Sequence, residues 1–222
     1  MEKAAKSFSS NHDRLDILIN NAGIMAVPYA KTKQGYEIQF GTNHMGHALF
    51  TKLLLPMILK TADLPGADVR VINISSYGHN FAPSGGIIFD QIGAEAQSTN
   101  ARYGSSKLAN ILHARSLAQK YPQITATSVH PGIILTDLYT SVSEGAFARL
   151  FLQNVMSRFA QTVPEGARNQ LWAAVGPRES VRQAYFYTPI GKADAGSKYA
   201  QDEALQQKLW DYTEEELAKY GY

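Results

Sequence analysis

Tyr103 and Lys107 lie four residues apart in the stretch "NARYGSSKLANIL", residues 100–112. On a helix that spacing projects both side chains from one face, one turn apart. A tyrosine next to a lysine is chemically useful because a neighbouring ammonium favours the phenolate, so the phenol can exchange a proton more readily. The spacing alone is not decisive, since Tyr29 and Lys33 in "PYAKTK" repeat it. That second pair follows Pro28 in a loop-like stretch and reads as coincidence. The first pair needs context from the elements that position it.

Those elements alternate. "DILIN" (16–20) is a short β-branched run that stops at "NAG", a strand followed by a turn. Residues 33–62 are long and apolar at helical spacing, with Pro56 expected to kink or divide the helix late. "VRVINIS" (69–75) is a second strand, and residues 77–99 are rich in Gly, Ser and Pro and read as loop. Residues 101–120 form a helix. "ITATSVH" (124–130) is a third strand, stopped by Pro131-Gly132. Residues 133–163 read as irregular or short-helical. "PEGARNQLWAAV" (164–175) opens with an acidic first turn and reads as a helix. "QAYFYTP" (183–189) is a fourth strand, and the tail from "DEALQQKLW" onward is one helix or two. The N-terminal "MEKAAKSFSSNHDRLD" reads as the end of an amphipathic helix running into the first strand. Strands alternating with helices predict an α/β fold with a parallel sheet covered on both faces, in a single domain over 1–222.

The bulk properties suit that reading. The 222 residues are 45% hydrophobic and 18% charged, with a net charge of +2. Lys and Arg are spread along the chain, so no basic footprint for nucleic acid appears. There is no cysteine, which excludes disulfides and thiolate metal sites. No apolar run reaches the ~18–20 residues of a membrane span, and no apolar signal core opens the chain. The cytoplasm is the expected location. His44 and His47 are three apart, but no carboxylate accompanies them in a metal-binding motif, so no metal is expected. Asn73-Ile74-Ser75 matches a glycosylation pattern inside a strand expected to be buried, where it would not be modified.

Ligands of such sheets sit beyond the carboxyl ends of the strands. The polar residues there are "NNAG" (20–23), "ISSYG" (74–78) and "HPGIILTD" (130–137), and "TNHMGH" (42–47) lies in the long helix between the first two. With these in view the chain resembles the short-chain dehydrogenase/reductase family. The match is ordered: "LDILINNAGIM", "GYEIQFGTNHMGHALFT", "VRVINISS", "YGSSKLAN", "SVHPGIILTDL", and later "TVPEGARNQLWAA". "QFGTNHMGH" is most similar to the retinol-dehydrogenase-like and WW-domain-oxidoreductase-like branch. The resemblance implies a Rossmann-like three-layer sandwich and a four-residue active site. In it Tyr103 gives or takes the proton, and Lys107 holds the nicotinamide ribose. Ser76 orients the substrate oxygen, with Ser75 beside it as the confounding choice. Asn43 holds a water that relays protons to Lys107.

The resemblance also implies cofactor contacts from Asn21, Ala22 and Gly23, from Tyr103 and Lys107, and from the backbone of Ile134 and the hydroxyl of Thr136. Small residues at Ala22 and Gly23 let the backbone approach a ribose closely. An asparagine of "NNAG" is expected both to tie neighbouring strands and to line the cofactor cleft. NADP(H) is expected ahead of NAD(H). The implied function is reversible carbonyl/alcohol oxidoreduction on a hydrophobic small molecule, with the apolar 146–159 segment as a lid. An epimerase or dehydratase built on the same pair is the nearby alternative; a non-catalytic binding or regulatory protein is the alternative of another class. Pairing of relatives through the helices at 33–60 and 101–120 implies a homodimer.

One family feature is missing. No glycine-rich Thr-Gly-x-x-x-Gly-x-Gly turn, the pyrophosphate cradle, occurs in the chain. The sequence is therefore expected to be N-terminally truncated, with the first three strands absent and "DILIN" left as an apolar sheet edge. A fragment of an active enzyme is the reading preferred over a natural short form that pairs its edge with another chain.

Overall fold

The computed structural model describes residues 1–92, 95–134 and 161–222. A five-stranded sheet runs in the order β1 (Ile17–Asn20), β2 (Arg70–Ile74), β3 (Thr125–Val129), β4 (Phe186–Thr188), β5 (Lys192–Ala193). The first four strands are parallel, and β5 returns antiparallel on β4. Every residue of β2 and β3 is buried, as strands covered on both faces must be. β1 alternates exposed and buried residues and, among the described residues, pairs only with β2. Among the described residues it stands at the edge of the sheet, with Ile17 and Ile19 exposed on one face.

Helix α1 is Glu2–Asn11. Helix α2 starts at Ile38–Phe40, passes through a π-helical turn at Gly41–Met45 and continues as Gly46–Ala62. It begins later than the sequence suggested, because residues 31–37 turn back through a Lys31–Glu37 bridge. Pro56 does not divide it. The residues two positions either side, Leu54 and Ile58, are fully buried against Val69, Val71 and Leu117, and that packing offsets the hydrogen bond lost at proline. Helix α3 is Thr99–Lys120, capped by the Ser98 hydroxyl, which accepts from the Ala101 amide.

Helix α4, Val163–Val175, opens with a Thr162–Glu165 capping box. A short α5 (Arg178–Val181) follows, and the tail is one helix, α6 (Glu203–Ala218). On one face of the sheet lie α2 and α3; α4 covers the other, where Ala173 and Ala174 pack with Ile72, Ile74 and Val129. The result is a three-layer α/β sandwich of Rossmann type. The stretch expected to be loop, 77–99, contains two 3-10 turns, Tyr77–Phe81 and Phe89–Gln91. Thr136 and the 146–159 segment expected as a lid lie outside the described residues.

Helix α6 packs across α3 and α2. Leu205, Leu209 and Leu217 join the core formed by Leu108, Ile111 and Leu112, while Lys52–Glu214 and Arg115–Glu203 ion pairs flank them. The surfaces through which a homodimer was expected are thus partly covered by the chain's own tail.

Candidate active site

The carboxyl ends of β1 and β2 and the first turns of α3 converge. Tyr103 and Lys107 project from one face of α3, both buried, with the lysine Nζ 5.7 Å from the tyrosine ring centroid. Lys107 Nζ donates to the Ile74 carbonyl at 3.1 Å, and burial brings its pKa down to about 8. The group still carries its charge at pH 7, and a buried ammonium this near a phenol favours the phenolate. By contrast Tyr29 and Lys33 are not on a helix. Tyr29 lies under the Arg102 guanidinium instead, so that pair shares spacing and nothing more.

The two serines of "NISS" separate cleanly. Ser75 is buried and donates to the Lys107 carbonyl at 2.8 Å, tying β2 to α3. Ser76 is half-buried, and its Oγ accepts from the Gly78 amide at 3.0 Å. Gly78 joins Ser76 to Tyr103. A Cβ there would meet Tyr103 Cε1 at 2.5 Å and Ser76 Oγ at 3.3 Å, so only glycine lets the ring and hydroxyl share this corner.

Asn43 lies in the π turn and is fully buried. Its Oδ1 accepts from the Ile24 amide at 2.8 Å, and its Nδ2 donates to the Ile24 carbonyl and to Ser106 Oγ, each at 2.9 Å. Ser106 Oγ in turn donates to the Tyr103 carbonyl at 2.7 Å. The side chain therefore clamps the loop after β1 to the turn of α3 that carries Tyr103. One turn earlier, Gln39 accepts from the Ala26 amide and donates to the Thr99 carbonyl, fixing the same loop, in which Ala26 has φ +52°. Gln39 carried no sequence signal beyond its i, i+4 spacing from Asn43.

Of the two jobs expected of an asparagine in "NNAG", the strand tie falls to Asn20. Asn20, not singled out from sequence, is buried and donates to Asn73 Oδ1 and Thr51 Oγ1, each at 2.9 Å. Asn73 donates on to the Asn110 carbonyl at 3.2 Å. Asn21 and Ala22 are exposed beyond the end of β1. At Gly23 a Cβ would stand 3.2 Å from Asn43 Oδ1 and 3.4 Å from Lys107 Nζ, so the backbone here passes close to both groups. Ile134 forms a parallel bridge with Gln161 that uses the Ile133 carbonyl, and its side chain rests on Gly166 of α4.

His44 Nε2 meets Thr213 Oγ1, and His47 Nδ1 donates to the Asn43 carbonyl. Among the described residues no group of His, Asp and Glu could hold a metal, and no helix is long and apolar enough to cross a membrane.

Burial holds His47, His113 and His130 each down to about 4. In the unfolded chain they titrate near ~6.5, so between those values the unfolded state binds more protons. Stability from neutral burial is complete above pH ~6.5 and is lost as pH falls toward 4. At pH 5 each should cost about 2 kcal/mol. Urea midpoints should drop steeply between pH 7.5 and 5; equal midpoints at both would contradict the burial of these rings.

A parallel sheet covered on both faces, with Ser76, Tyr103 and Lys107 gathered beyond the carboxyl ends of its strands, is a Rossmann-type α/β arrangement. The family model described as short chain dehydrogenase matches residues 1–146. The chain is 39% identical over 230 residues to the short-chain dehydrogenase/reductase drtF of Aspergillus calidoustus, covering 97% of this chain and 72% of that protein. It is 38% identical over 206 residues to retinol dehydrogenase 14 of Homo sapiens, covering 90% and 58%. A crystal structure of a Mycobacterium paratuberculosis protein superposes with a TM-score of 0.68 at 30% identity, covering 96% of this chain and 71% of that one. The chain belongs to the short-chain dehydrogenase/reductase family, on its retinol-dehydrogenase-like side. It spans 58–72% of the length of these two curated relatives.

Proposed function

We propose that this protein interconverts a carbonyl and an alcohol on a hydrophobic small molecule, using NADP(H) in preference to NAD(H). The observation that carries the reading is the corner at Gly78, which has Ser76 Oγ and the Tyr103 ring on either side of it, with buried Lys107 one helical turn beyond. The apolar stretch at 146–159 and the similarity to retinol dehydrogenase 14 support an apolar substrate.

The residues present fit a nicotinamide cofactor. The turn Asn21-Ala22-Gly23 leaves an open backbone approach above Lys107, a space that a Cβ at Gly23 would begin to fill. Asn21, Ala22, Gly23, Lys107, Tyr103 and Ile134 would hold it, joined by Thr136. When bound, the cofactor supplies or accepts hydride.

The chain's own residues handle the proton and the oxygen. Tyr103 gives its phenol proton to the substrate oxygen in reduction and removes the alcohol proton in oxidation. A free tyrosine titrates near ~10, so work at neutral pH needs a fall of ~3 units, about 4 kcal/mol of preferential phenolate stabilisation. Lys107 contributes to it through its buried charge. Ser76 Oγ already accepts from the Gly78 amide, which leaves its hydroxyl hydrogen to donate toward a developing alkoxide. Asn43 has its amide committed to Ile24 and Ser106; we assign it to holding the loop and α3 together and, through that, to keeping a relay water near Lys107.

Titration of NADPH, and separately NADH, into the purified chain, followed by cofactor fluorescence, tests the reading. Saturable binding is expected, tighter for NADPH. No saturation up to about 1 mM, the upper end of ordinary KM values, would overturn it for this chain.

A further inference from the structure

We propose that His79 is a positioning residue that fixes Ser76 in its donor geometry. The inference rests on the role given to Ser76 above and extends it one residue outward. Both nitrogens of His79 are engaged, and their partners dictate the tautomer. Nδ1 lies 2.7 Å from the Ser76 carbonyl, which can only accept, so Nδ1 carries the hydrogen. Nε2 lies 2.9 Å from the Ser197 amide, which can only donate, so Nε2 is bare. The backbone amide of His79 also donates to the Ser76 carbonyl, at 3.0 Å. Ser76 thus has its carbonyl held by two donors of one residue and its Oγ held by the amide of the residue between.

The ring is itself held in place. It packs edge-on against Phe186 of β4 with centroids 5.2 Å apart. The turn that supplies the Ser197 amide is shaped by Gly196 at φ +70°, whose amide donates to Asp194 Oδ1. Through His79 the turn after β5 therefore braces the turn after β2. Neither the Ser76 loop nor the 194–197 turn has another described hydrogen bond of this length linking their cores; the Tyr77 hydroxyl reaches Asp194 only at 3.4 Å.

The titratable groups facing His79 are Asp194, on the braced turn, and His130, after β3. Burial lowers the His79 pKa, outweighing the opposite pull of its Ser76 bond and of Asp194. At neutral pH the ring is neutral and the brace is intact. Protonation in acid puts a second N–H on Nε2, directed at the Ser197 N–H, and the brace opens.

Three variants separate the two arms. In His79→Asn the amide nitrogen occupies the place of Nδ1 and keeps the bond to Ser76; in His79→Gln the amide oxygen reaches the place of Nε2 and keeps only the bond from Ser197; His79→Phe keeps neither. With a carbonyl substrate and NADPH, kcat should fall about tenfold in the Gln and Phe variants, less than the 10²–10³ lost on deleting an oxyanion donor outright. Cofactor KM should stay unchanged, and His79→Asn should retain most of kcat. Unchanged kcat in His79→Phe, or equal loss in His79→Asn and His79→Phe, would overturn the proposal. Two readings do not need turnover. Ring nitrogen NMR at pH 7.5 should show the Nδ1–H tautomer, and amide exchange at Gly78 should quicken in His79→Phe but not in His79→Asn. Absent turnover in every form would defeat the proposed function alone; an Nε2–H ring, or unaltered Gly78 exchange, would defeat this one.

Discussion

Replacing Tyr103 with phenylalanine should reduce kcat by about 10²–10⁴, the range for loss of a general acid or base, while saturable cofactor binding is retained. The substitution removes one oxygen and keeps the ring. The ring is what fills the space above Gly78, where even a methyl group would collide, so the corner between α3 and the 77–81 turn keeps its packing. Lys107 keeps its bond to the Ile74 carbonyl, and Asn43 keeps its hold on Ile24. What disappears is the group whose proton chemistry the buried ammonium tunes. A fall in kcat with the cofactor dissociation constant within about threefold of wild type would match the expectation, three-fold being under 1 kcal/mol. A variant whose kcat lies within tenfold of wild type would remove Tyr103 from the proton transfer and leave the corner without its acid.

The second large effect is on structure. Gly104→Ala should destabilise the protein by at least about 2 kcal/mol, a drop of about 4–8 °C in Tm for a chain of this size. Helix propensity predicts the reverse, because alanine in a helix interior is favoured over glycine by about 1 kcal/mol. The tertiary contact decides the sign. A Cβ on Gly104 would lie 2.4 Å from the Ala82 nitrogen, 2.5 Å from the Phe81 carbonyl carbon and 3.0 Å from the Gly78 carbonyl oxygen. All three are backbone atoms, which cannot rotate away as a side-chain tip would. Helix α3 and the 77–82 turn must therefore separate, and that turn carries Ser76 on one side and His79 on the other. Loss of kcat should accompany the loss of stability. A melting temperature equal to or above wild type would show that α3 does not approach the turn this closely.

Much of the site was legible because it is local. The Tyr103–Lys107 spacing needs only a helix, and residues 101–120 read plainly as one. The positions of "NNAG", "ISSYG" and "HPG" at strand ends needed only the alternation of strands and helices. Other features were not legible because nothing local encodes them. The π turn at Gly41–Met45 inside α2 matters because it carries Asn43, which grips the same loop as Gln39 just before it. Residues 33–37 look helical by hydropathy but are turned by a bridge to Lys31. β5 has only two residues, both exposed, and so carries no hydrophobic signal.

By itself, then, the sequence determined the family, the layered α/β architecture and the pairing of a phenol with an ammonium on one helix face. These depend on periodicity and on residues within a few positions of one another. Only the tertiary structure decided that Ser76 rather than Ser75 lies at the Gly78 corner beside the Tyr103 ring, and which of two adjacent asparagines ties the strands. Neighbours on an extended strand point to opposite sides whatever their type, so Ser75 and Ser76 are equivalent until α3 is laid across one side. The choice is made by a helix about thirty residues further along the chain, resting on glycines 78 and 104 that allow backbone to touch ring and backbone to touch backbone.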